Sequence, residues 1–332
     1  AEMEPDKFHG IGKFNRETGK CPPKSGAPSY TSVFSKALIE LAAKDSNITA
    51  ITAAMPSGTG LKAFGEEYPN RFFDVGIAEE HAVTFGAGMA ASGLKPVVAV
   101  YSSFLQRAYD QILHDVCLNN LPVVLAIDRS GLVGADGDTH QGIFDTSYLS
   151  SMPNMTIMSP KNRYEFSYMM EYAFKLGSPV AIKYPRGSAY YELKTEDRTI
   201  ERGKGEVIFK GEKVAVVAVG SMMVEAYEAY KVLKKKGVRI TLVNPRFIKP
   251  FDKKLIKSLA KEHDCIITVE DNVYSGGFGE AVASYMRLEN IKCKIAVMAI
   301  EDCFIEHGKV QELRARYNID SAAIVKKVEK YI

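Results

Sequence analysis

Two short apolar runs constrain the fold more than any other feature of this chain of 332 residues. Residues 96–101 read PVVAVY and residues 122–127 read PVVLAI, a composition typical of strands buried on both faces of a parallel sheet. An amphipathic helical pattern over 104–119 lies between them. Strands that alternate with helices in this way predict an α/β fold, a doubly wound parallel sheet with right-handed crossovers.

The same alternation continues on both sides of this pair and divides the chain into two units. A charged stretch at 192–204 interrupts it, and a smaller α/β unit follows. Residues 1–28 lack periodicity and are rich in Pro, Gly, Lys and Glu. We therefore predict an arm over 1–28, a first domain over 29–191, a linker over 192–204 and a second domain over 205–332.

The composition excludes several functional classes. A formal net charge of +3, with no basic cluster that alternates with aromatic residues, argues against nucleic acid as a partner. Five cysteines without CxxC spacing suit free thiols in a reducing compartment. Neither a membrane-spanning segment nor a signal peptide is visible, so the sequence predicts a cytoplasmic protein without a membrane partner.

An acidic pair, Glu79 and Glu80, stands where a strand-like run over 71–75 gives way through Gly76 to a helix of small residues. A carboxylate at such a junction often binds one specific polar group. The alternative is an acidic residue that serves only the dipole of the helix.

Three further polar stretches each follow a predicted strand. They are YSSFLQRAYDQ at 101–111, DRSGLVGADGDTHQG at 128–142 and YPRG at 184–187. Because the carboxyl ends of parallel strands share one edge of a sheet, ligands collect there. With the acidic pair, these stretches bring together eight candidate site residues: Glu79, Tyr101, Phe104, Arg107, Arg129, Asp136, His140 and Arg186.

Each candidate has a simpler explanation. Tyr101 or Phe104 taken alone is more often a core residue, and Arg107 with Asp110 could be a pair on a helix surface. The alternation of acidic residues before His140 resembles metal ligands, but the other parts of a calcium loop or zinc site are missing, so we predict no metal ligands here. Arginines in glycine-flanked loops fit a clamp for phosphate or carboxylate.

Taken together, YSSFLQRAYDQ, GADGDTHQGIFD and YPRG resemble the 1-deoxy-D-xylulose 5-phosphate synthases, from about residue 5 to the C-terminus. This transketolase-like family depends on thiamine diphosphate and Mg²⁺. The resemblance implies a pyrimidine-binding domain followed by a transketolase-type C-terminal domain, in a homodimer. It also implies condensation of pyruvate with D-glyceraldehyde 3-phosphate to 1-deoxy-D-xylulose 5-phosphate and CO₂.

The resemblance also implies roles for single residues. Glu79 would bind N1′ of the cofactor's pyrimidine, Phe104 would stack on that ring, and His140 would lie near the reacting carbon. Tyr101, Arg129 and Arg186 would hold the phosphate of the acceptor substrate, while Arg107 and Asp136 would organise the pocket. His9, in the arm, would contribute a second histidine. Glu80 departs from the glutamine that the family carries there.

No Gly-Asp-Gly segment occurs in this sequence, although such enzymes hold Mg²⁺ and the diphosphate through one. We therefore expect the metal ligands on the N-terminal domain of the same enzyme, and we expect the chain to be inactive without that partner. Three alternatives stay open: the β subunit of a 2-oxo acid dehydrogenase, the C-terminal half of a split transketolase, and a non-catalytic oligomerisation module. The last has no need of Glu79, Phe104, His140 and Arg186.

Overall fold

Two β-sheets organise the computed structural model, which describes residues 14–21, 26–134, 136–195 and 197–332. The strands are β1 (Ile48–Thr52), β2 (Phe72–Asp74), β3 (Lys95–Tyr101), β4 (Val124–Asp128), β5 (Thr156–Met158), β6 (Val180–Lys183), β7 (Glu206–Phe209), β8 (Val214–Ala218), β9 (Thr241–Asn244), β10 (Phe247–Lys249), β11 (Cys265–Val273) and β12 (Lys294–Ile300). The first sheet has the order β10-β5-β6-β4-β3-β1-β2 and the second has the order β12-β11-β8-β9-β7.

Helices connect the strands and cover the sheets. They are α1 (Tyr30–Ala42), α2 (Lys62–Glu67), α3 (Glu79–Ala91), α4 (Ser102–Leu105), α5 (Tyr109–Gln111), α6 (Asp145–Ser150), α7 (Arg163–Leu176), α8 (Met223–Lys235), α9 (Lys253–Glu262), α10 (Phe278–Leu288), α11 (Val310–Arg316) and α12 (Ser321–Val328). Among the described residues, no helix is long and apolar enough to cross a membrane.

Parallel pairing dominates both sheets. Only the edge strands β10 and β7 run antiparallel to their neighbours, β5 and β9. The central strands β3 and β4 are buried on both faces, as their continuous apolar runs predict. The predicted fold class, a doubly wound α/β unit followed by a smaller one, is confirmed.

The two units share one sheet edge. Strand β10 comes from the second half of the chain but pairs with β5 of the first sheet, where Phe247 and Ile248 are buried. The pattern of the sequence did not predict this strand, because three residues between two prolines carry no periodicity. The boundaries at 28, 191 and 204 stay predictions.

The segment that follows β3 differs from its prediction. In place of one helix over 104–119, the chain forms α4, a 3₁₀ turn (Gln106–Ala108), α5 and a π-helical stretch (Ile112–Cys117). Single π turns inside helices are frequent at functional sites. Here the irregular segment carries two of the candidate side chains, Phe104 and Arg107.

Candidate active site

Glu79 is the first residue of α3, and its carboxylate is almost fully buried at 2% exposure. Arg107, on the 3₁₀ turn after β3, donates a hydrogen bond of 2.8 Å from Nη1 to Glu79 Oε1. The surface pair of Arg107 with Asp110 does not form among the described ion pairs. Since a buried carboxylate without a cation is costly, this contact explains how Glu79 is accommodated at the start of the helix.

Phe104 lies at the centre of an aromatic group. Its ring centroid is 5.7 Å from that of Tyr101 and 5.2 Å from that of His140, which meets it edge-on. The Arg107 guanidinium carbon lies 5.2 Å from the same centroid. Phe104 thus joins the carboxylate side of the site to the loop that carries His140, and its half-buried ring offers a flat apolar surface.

Arg129 and Arg186 share one acidic partner. Arg129 Nη1 lies 3.2 Å from Asp136 Oδ2, and Arg186 Nη1 donates a hydrogen bond to the same oxygen. The Arg129 guanidinium carbon also lies 3.7 Å from the centroid of the Tyr101 ring. Each guanidinium group donates this one side-chain hydrogen bond to the described residues, so both have N–H donors left for an anion.

An unbroken series of contacts therefore connects all eight candidates on the described part of the chain. It runs from Glu79 through Arg107 and Phe104 to Tyr101 and His140, and from Tyr101 through Arg129 and Asp136 to Arg186. His9 lies outside the described residues. Their roles stay predictions, but the expectation that one sheet edge gathers them matches their placement.

The loop of residues 129–142, called the acceptor loop below, holds three of these side chains. Arg129 has φ +60°, a conformation that costs a non-glycine residue energy and that clusters at functional sites. Gly131 follows with φ +78°, and a pair of hydrogen bonds of 2.7 and 2.8 Å joins it to Gly142. A side chain on Gly142 would meet the Arg129 carbonyl and Ser102, so this close approach requires glycine.

Asp128, at the end of β4, was not among the sequence candidates. It is 1% exposed and lies directly opposite Tyr101 in the register of the sheet. Its Oδ2 accepts a hydrogen bond of 2.8 Å from Thr31, and burial raises the pKa of its carboxyl to about 6, against a lowering by Thr31 and Arg129. Burial also raises the pKa of the neighbouring Tyr101. The sequence did offer one signal for Asp128, since a charged residue directly follows the apolar run of β4.

A buried polar network connects the strand ends that carry the site. Asp145 accepts hydrogen bonds from Ser102 (2.8 Å), Ser130 (2.5 Å) and Lys183 (2.6 Å), which follow or end three different strands. It fixes the strand ends that carry Tyr101, Arg129 and the YPRG stretch. Sequence reasoning missed this network because each member looks like an ordinary polar residue at a strand end.

The site offers what the pyrimidine of thiamine diphosphate requires, namely a buried carboxylate for N1′ and a flat aromatic surface beside it. Glu79 and Phe104 supply these groups. A metal-bound diphosphate needs other ligands. Among the described residues, no group of three His, Cys, Asp or Glu side chains could hold a metal ion.

Comparisons with known proteins agree with this geometry. The family model of the transketolase pyrimidine-binding domain matches residues 26–190, and that of the transketolase C-terminal domain matches residues 203–324. The 1-deoxy-D-xylulose-5-phosphate synthase of Clostridium tetani is 51% identical over 330 residues, which is 99% of this chain and 53% of the relative. That of Lachnoclostridium phytofermentans is 52% identical over 329 residues, again 99% and 53%.

Solved structures show the same architecture. A chain described as a split-gene transketolase in an inactive β4 tetramer superposes with a TM-score of 0.82 at 28% identity, over 92% of this chain and 98% of that one. A transketolase from Pichia stipitis superposes with a TM-score of 0.77 at 18% identity, over 94% of this chain and 47% of that one, and this likeness shows the fold alone.

This chain spans about half the length of the curated relatives it matches. The match covers 99% of this chain and therefore runs through both α/β units. The chain belongs to the 1-deoxy-D-xylulose-5-phosphate synthase family, whose thiamine diphosphate-dependent members are transketolase-like transferases of isoprenoid biosynthesis.

Proposed function

We propose that this chain supplies the pyrimidine-binding and acceptor-binding half of an enzyme that condenses pyruvate with D-glyceraldehyde 3-phosphate. The products are 1-deoxy-D-xylulose 5-phosphate and CO₂. One observation carries the proposal: the unbroken series of contacts from the Glu79 carboxylate to the Arg186 guanidinium. It supports a single site in which Glu79 would serve the cofactor while Arg129 and Arg186 would bind an anion.

Thiamine diphosphate supplies the carbanion chemistry and the electron sink when it is bound. The chain's own contribution at that end is Glu79, whose buried carboxylate would hold a proton at N1′ of the pyrimidine. Arg107 orients this carboxylate through the 2.8 Å hydrogen bond. Phe104 would pack against the pyrimidine and exclude water from that side.

The acceptor end is built for an anion. Arg129 and Arg186 bind the phosphate of D-glyceraldehyde 3-phosphate. The Arg129 guanidinium stacks on the face of the Tyr101 ring, which holds it in place. His140, edge-on to Phe104, lies between the two ends and would donate a proton or a hydrogen bond to the acceptor's carbonyl oxygen.

The identities favour this chemistry over the alternatives. The relatives that are 51% and 52% identical over 99% of this chain are synthases, whereas the split-gene transketolase is 28% identical. That solved chain has nearly the same extent as this one, which supports a two-part site with the Mg²⁺ and diphosphate ligands on an N-terminal domain. We also propose His9 as a further site residue and a cytoplasmic location.

A homodimer is part of the proposal. Three large apolar side chains, Ile77, Tyr109 and Leu118, are exposed around α3 and the segment that packs against it. Exposed apolar residues grouped on neighbouring elements are typical of subunit interfaces. Sedimentation of the purified chain would test this assembly.

The decisive experiment mixes this chain with the N-terminal portion of the Clostridium tetani relative, then supplies pyruvate, D-glyceraldehyde 3-phosphate, thiamine diphosphate and Mg²⁺. Product is expected only from the mixture. Glu79→Gln should lower the rate by about 10²–10⁴-fold, as expected for a lost proton-transfer group. Glu80→Gln is the matched control, since Glu80 is exposed and adjacent. Product from a different acceptor alone would overturn the proposal.

A further inference from the structure

The acceptor loop is held on its outer side by the second half of the chain. Gly308 donates a backbone hydrogen bond of 3.3 Å to the carbonyl of Gly134. A Cβ on Gly134 would lie 2.7 Å from the Gly308 carbonyl oxygen, and one on Gly131 would lie 2.1 Å from Asp271 Oδ2. Both glycines have positive φ. The loop therefore packs backbone to backbone against the segment between β12 and α11.

The side chain of Gln141 stabilises this contact through two hydrogen bonds. Its side chain is buried, at 3% exposure, beside His140. Oε1 accepts a hydrogen bond of 2.9 Å from the backbone N–H of Val133, across the loop. Nε2 donates one of 3.1 Å to the backbone carbonyl of Glu306, in the second half of the chain. Because one partner is a donor and the other an acceptor, the Gln141 amide satisfies both, which neither a carboxylate nor an apolar side chain of this length can do.

The partner segment is itself anchored. Ile305 is buried in the second core, the Glu306 carboxylate pairs with Arg316 of α11 at 3.1 Å, and Phe304 meets Phe144 edge-on. The buried Ile305 side chain thus fixes the position of the neighbouring Glu306 carbonyl, whereas the exposed ion pair with Arg316 adds little. Through its two hydrogen bonds, Gln141 links the position of the Glu306 carbonyl to that of Val133 and so to the acceptor-binding residues of the loop.

We infer that Gln141 is a positioning residue for acceptor binding, and that through it the C-terminal domain sets the shape of the acceptor loop. Arg129 stands at the start of this loop and Asp136 stands within it, so the geometry of the phosphate-binding arginine depends on how the loop is braced. Displacements of about 1 Å in such a group can cost 10²-fold in rate. The kinetic part of this inference rests on the proposed function.

The first test is hydrogen exchange on the chain as it stands. In the wild type, the Val133 amide should exchange at least tenfold more slowly than the intrinsic rate of an unprotected amide. Gln141→Met removes both hydrogen bonds at similar volume and should raise the Val133 exchange rate at least tenfold, while α7 keeps its protection. Gln311→Met, at an exposed glutamine of α11, should change neither. A Val133 amide that exchanges at the unprotected rate in the wild type would overturn the inference even if no variant folds.

The second test separates positioning from mere stabilisation, in the mixture with the N-terminal portion. Gln141→Met should raise KM for D-glyceraldehyde 3-phosphate about tenfold or more and leave KM for unphosphorylated glyceraldehyde within about twofold. Gln141→Glu keeps the acceptor for Val133 but faces the Glu306 carbonyl with an anion, so it should show the same split. An equal fall in kcat with both acceptors would make Gln141 only structural. An inactive wild-type mixture would refute the proposed function instead and leave the exchange result to decide.

Discussion

Two clusters of cationic and acidic side chains in this molecule differ in how completely the cations are paired. At the junction of the two sheets, Lys161 and Arg246 meet Glu165 and Glu206, so the charges cancel. At the acceptor site, the side chains of Arg129 and Arg186 each donate one hydrogen bond to the described residues, both to the same oxygen of Asp136. The junction needs no further ligand, whereas the guanidinium groups of the acceptor site have N–H donors left for an anion.

The two clusters also differ in burial, because the junction is almost fully buried and the acceptor site is partly exposed. The side chains of Lys161 and Glu165 are 0% and 1% exposed, and Asn244 adds hydrogen bonds of 2.9 and 3.0 Å to the Glu165 oxygens. The side chain of Arg186 is 42% exposed. A buried, fully paired cluster fixes the position of the domains, while an open, partly paired cluster can exchange solvent for an anion.

The largest expected effect lies at the junction. Glu165→Gln leaves Lys161 and Arg246 with too little negative charge in a buried site, so the free energy of unfolding should fall by about 3–5 kcal/mol. Urea denaturation measures this. The exposed pair of Arg239 with Glu212 provides the control, since Arg239→Met should have no measurable effect. Equal stabilities for Glu165→Gln and the wild type would erase the contrast between the two clusters.

The next effect concerns Asp128 beneath the acceptor site and depends on pH. The folded protein raises the pKa of this carboxyl from 3.8 to about 6 by burial, so the folded state holds its proton over a range in which the unfolded state has lost it. Stability contributed by the protonated form is therefore lost as pH rises from about 4 to about 6.

Asp128→Asn removes this pH dependence. Relative to the variant, the wild type should lose stability on the order of 3 kcal/mol between pH 4 and pH 7, from about 1.4 kcal/mol per pKa unit. Denaturation at the two pH values measures the difference, and the exposed Asp138→Asn serves as the control. A constant difference between wild type and Asp128→Asn would show that the carboxyl titrates normally.

A smaller effect tests the remaining N–H donors of Arg186 directly. Arg186→Met should raise KM for D-glyceraldehyde 3-phosphate about 10–100-fold, because hydrogen bonds to a charged group are worth about 1.5–3 kcal/mol. KM for glyceraldehyde should stay the same, since that acceptor has no phosphate. Arg186→Lys should recover only part of the loss, as an ammonium group cannot grip a phosphate through two parallel hydrogen bonds. Identical effects on both acceptors would count against a phosphate site.

The comparison also shows which features the sequence could predict. β3 and β4, and with them the edge that carries Tyr101 and Arg129, follow from local apolar runs. The acceptor-site residues are close to these strands in sequence, so parallel topology alone brings them together. Hydrophobic patterns with a period of 2 or 3.6 residues identify strands and helices, and so they predict such local arrangements.

The junction depends instead on pairs of residues far apart in the chain. Arg246 and Glu165, for example, meet only because β10 crosses to the first sheet, and that strand of three residues has no periodic signal. The same limit applies to Gln141, whose partner Glu306 is 165 residues away. Long-range polar contacts follow from the completed fold and leave no mark in a local pattern.

The smallest expected effect is on the stability of an acceptor-site variant. Asp136→Asn removes the only carboxylate that directly contacts Arg129 and Arg186 among the described residues, yet the free energy of unfolding should fall by less than about 1 kcal/mol. Both arginines reach solvent, so water can replace the lost partner. Urea denaturation beside Glu165→Gln makes the comparison direct. A loss as large as that of Glu165→Gln would mean that the acceptor cluster holds the fold together as the junction does. In that case the unused guanidinium donors would no longer be evidence for an anion-binding role.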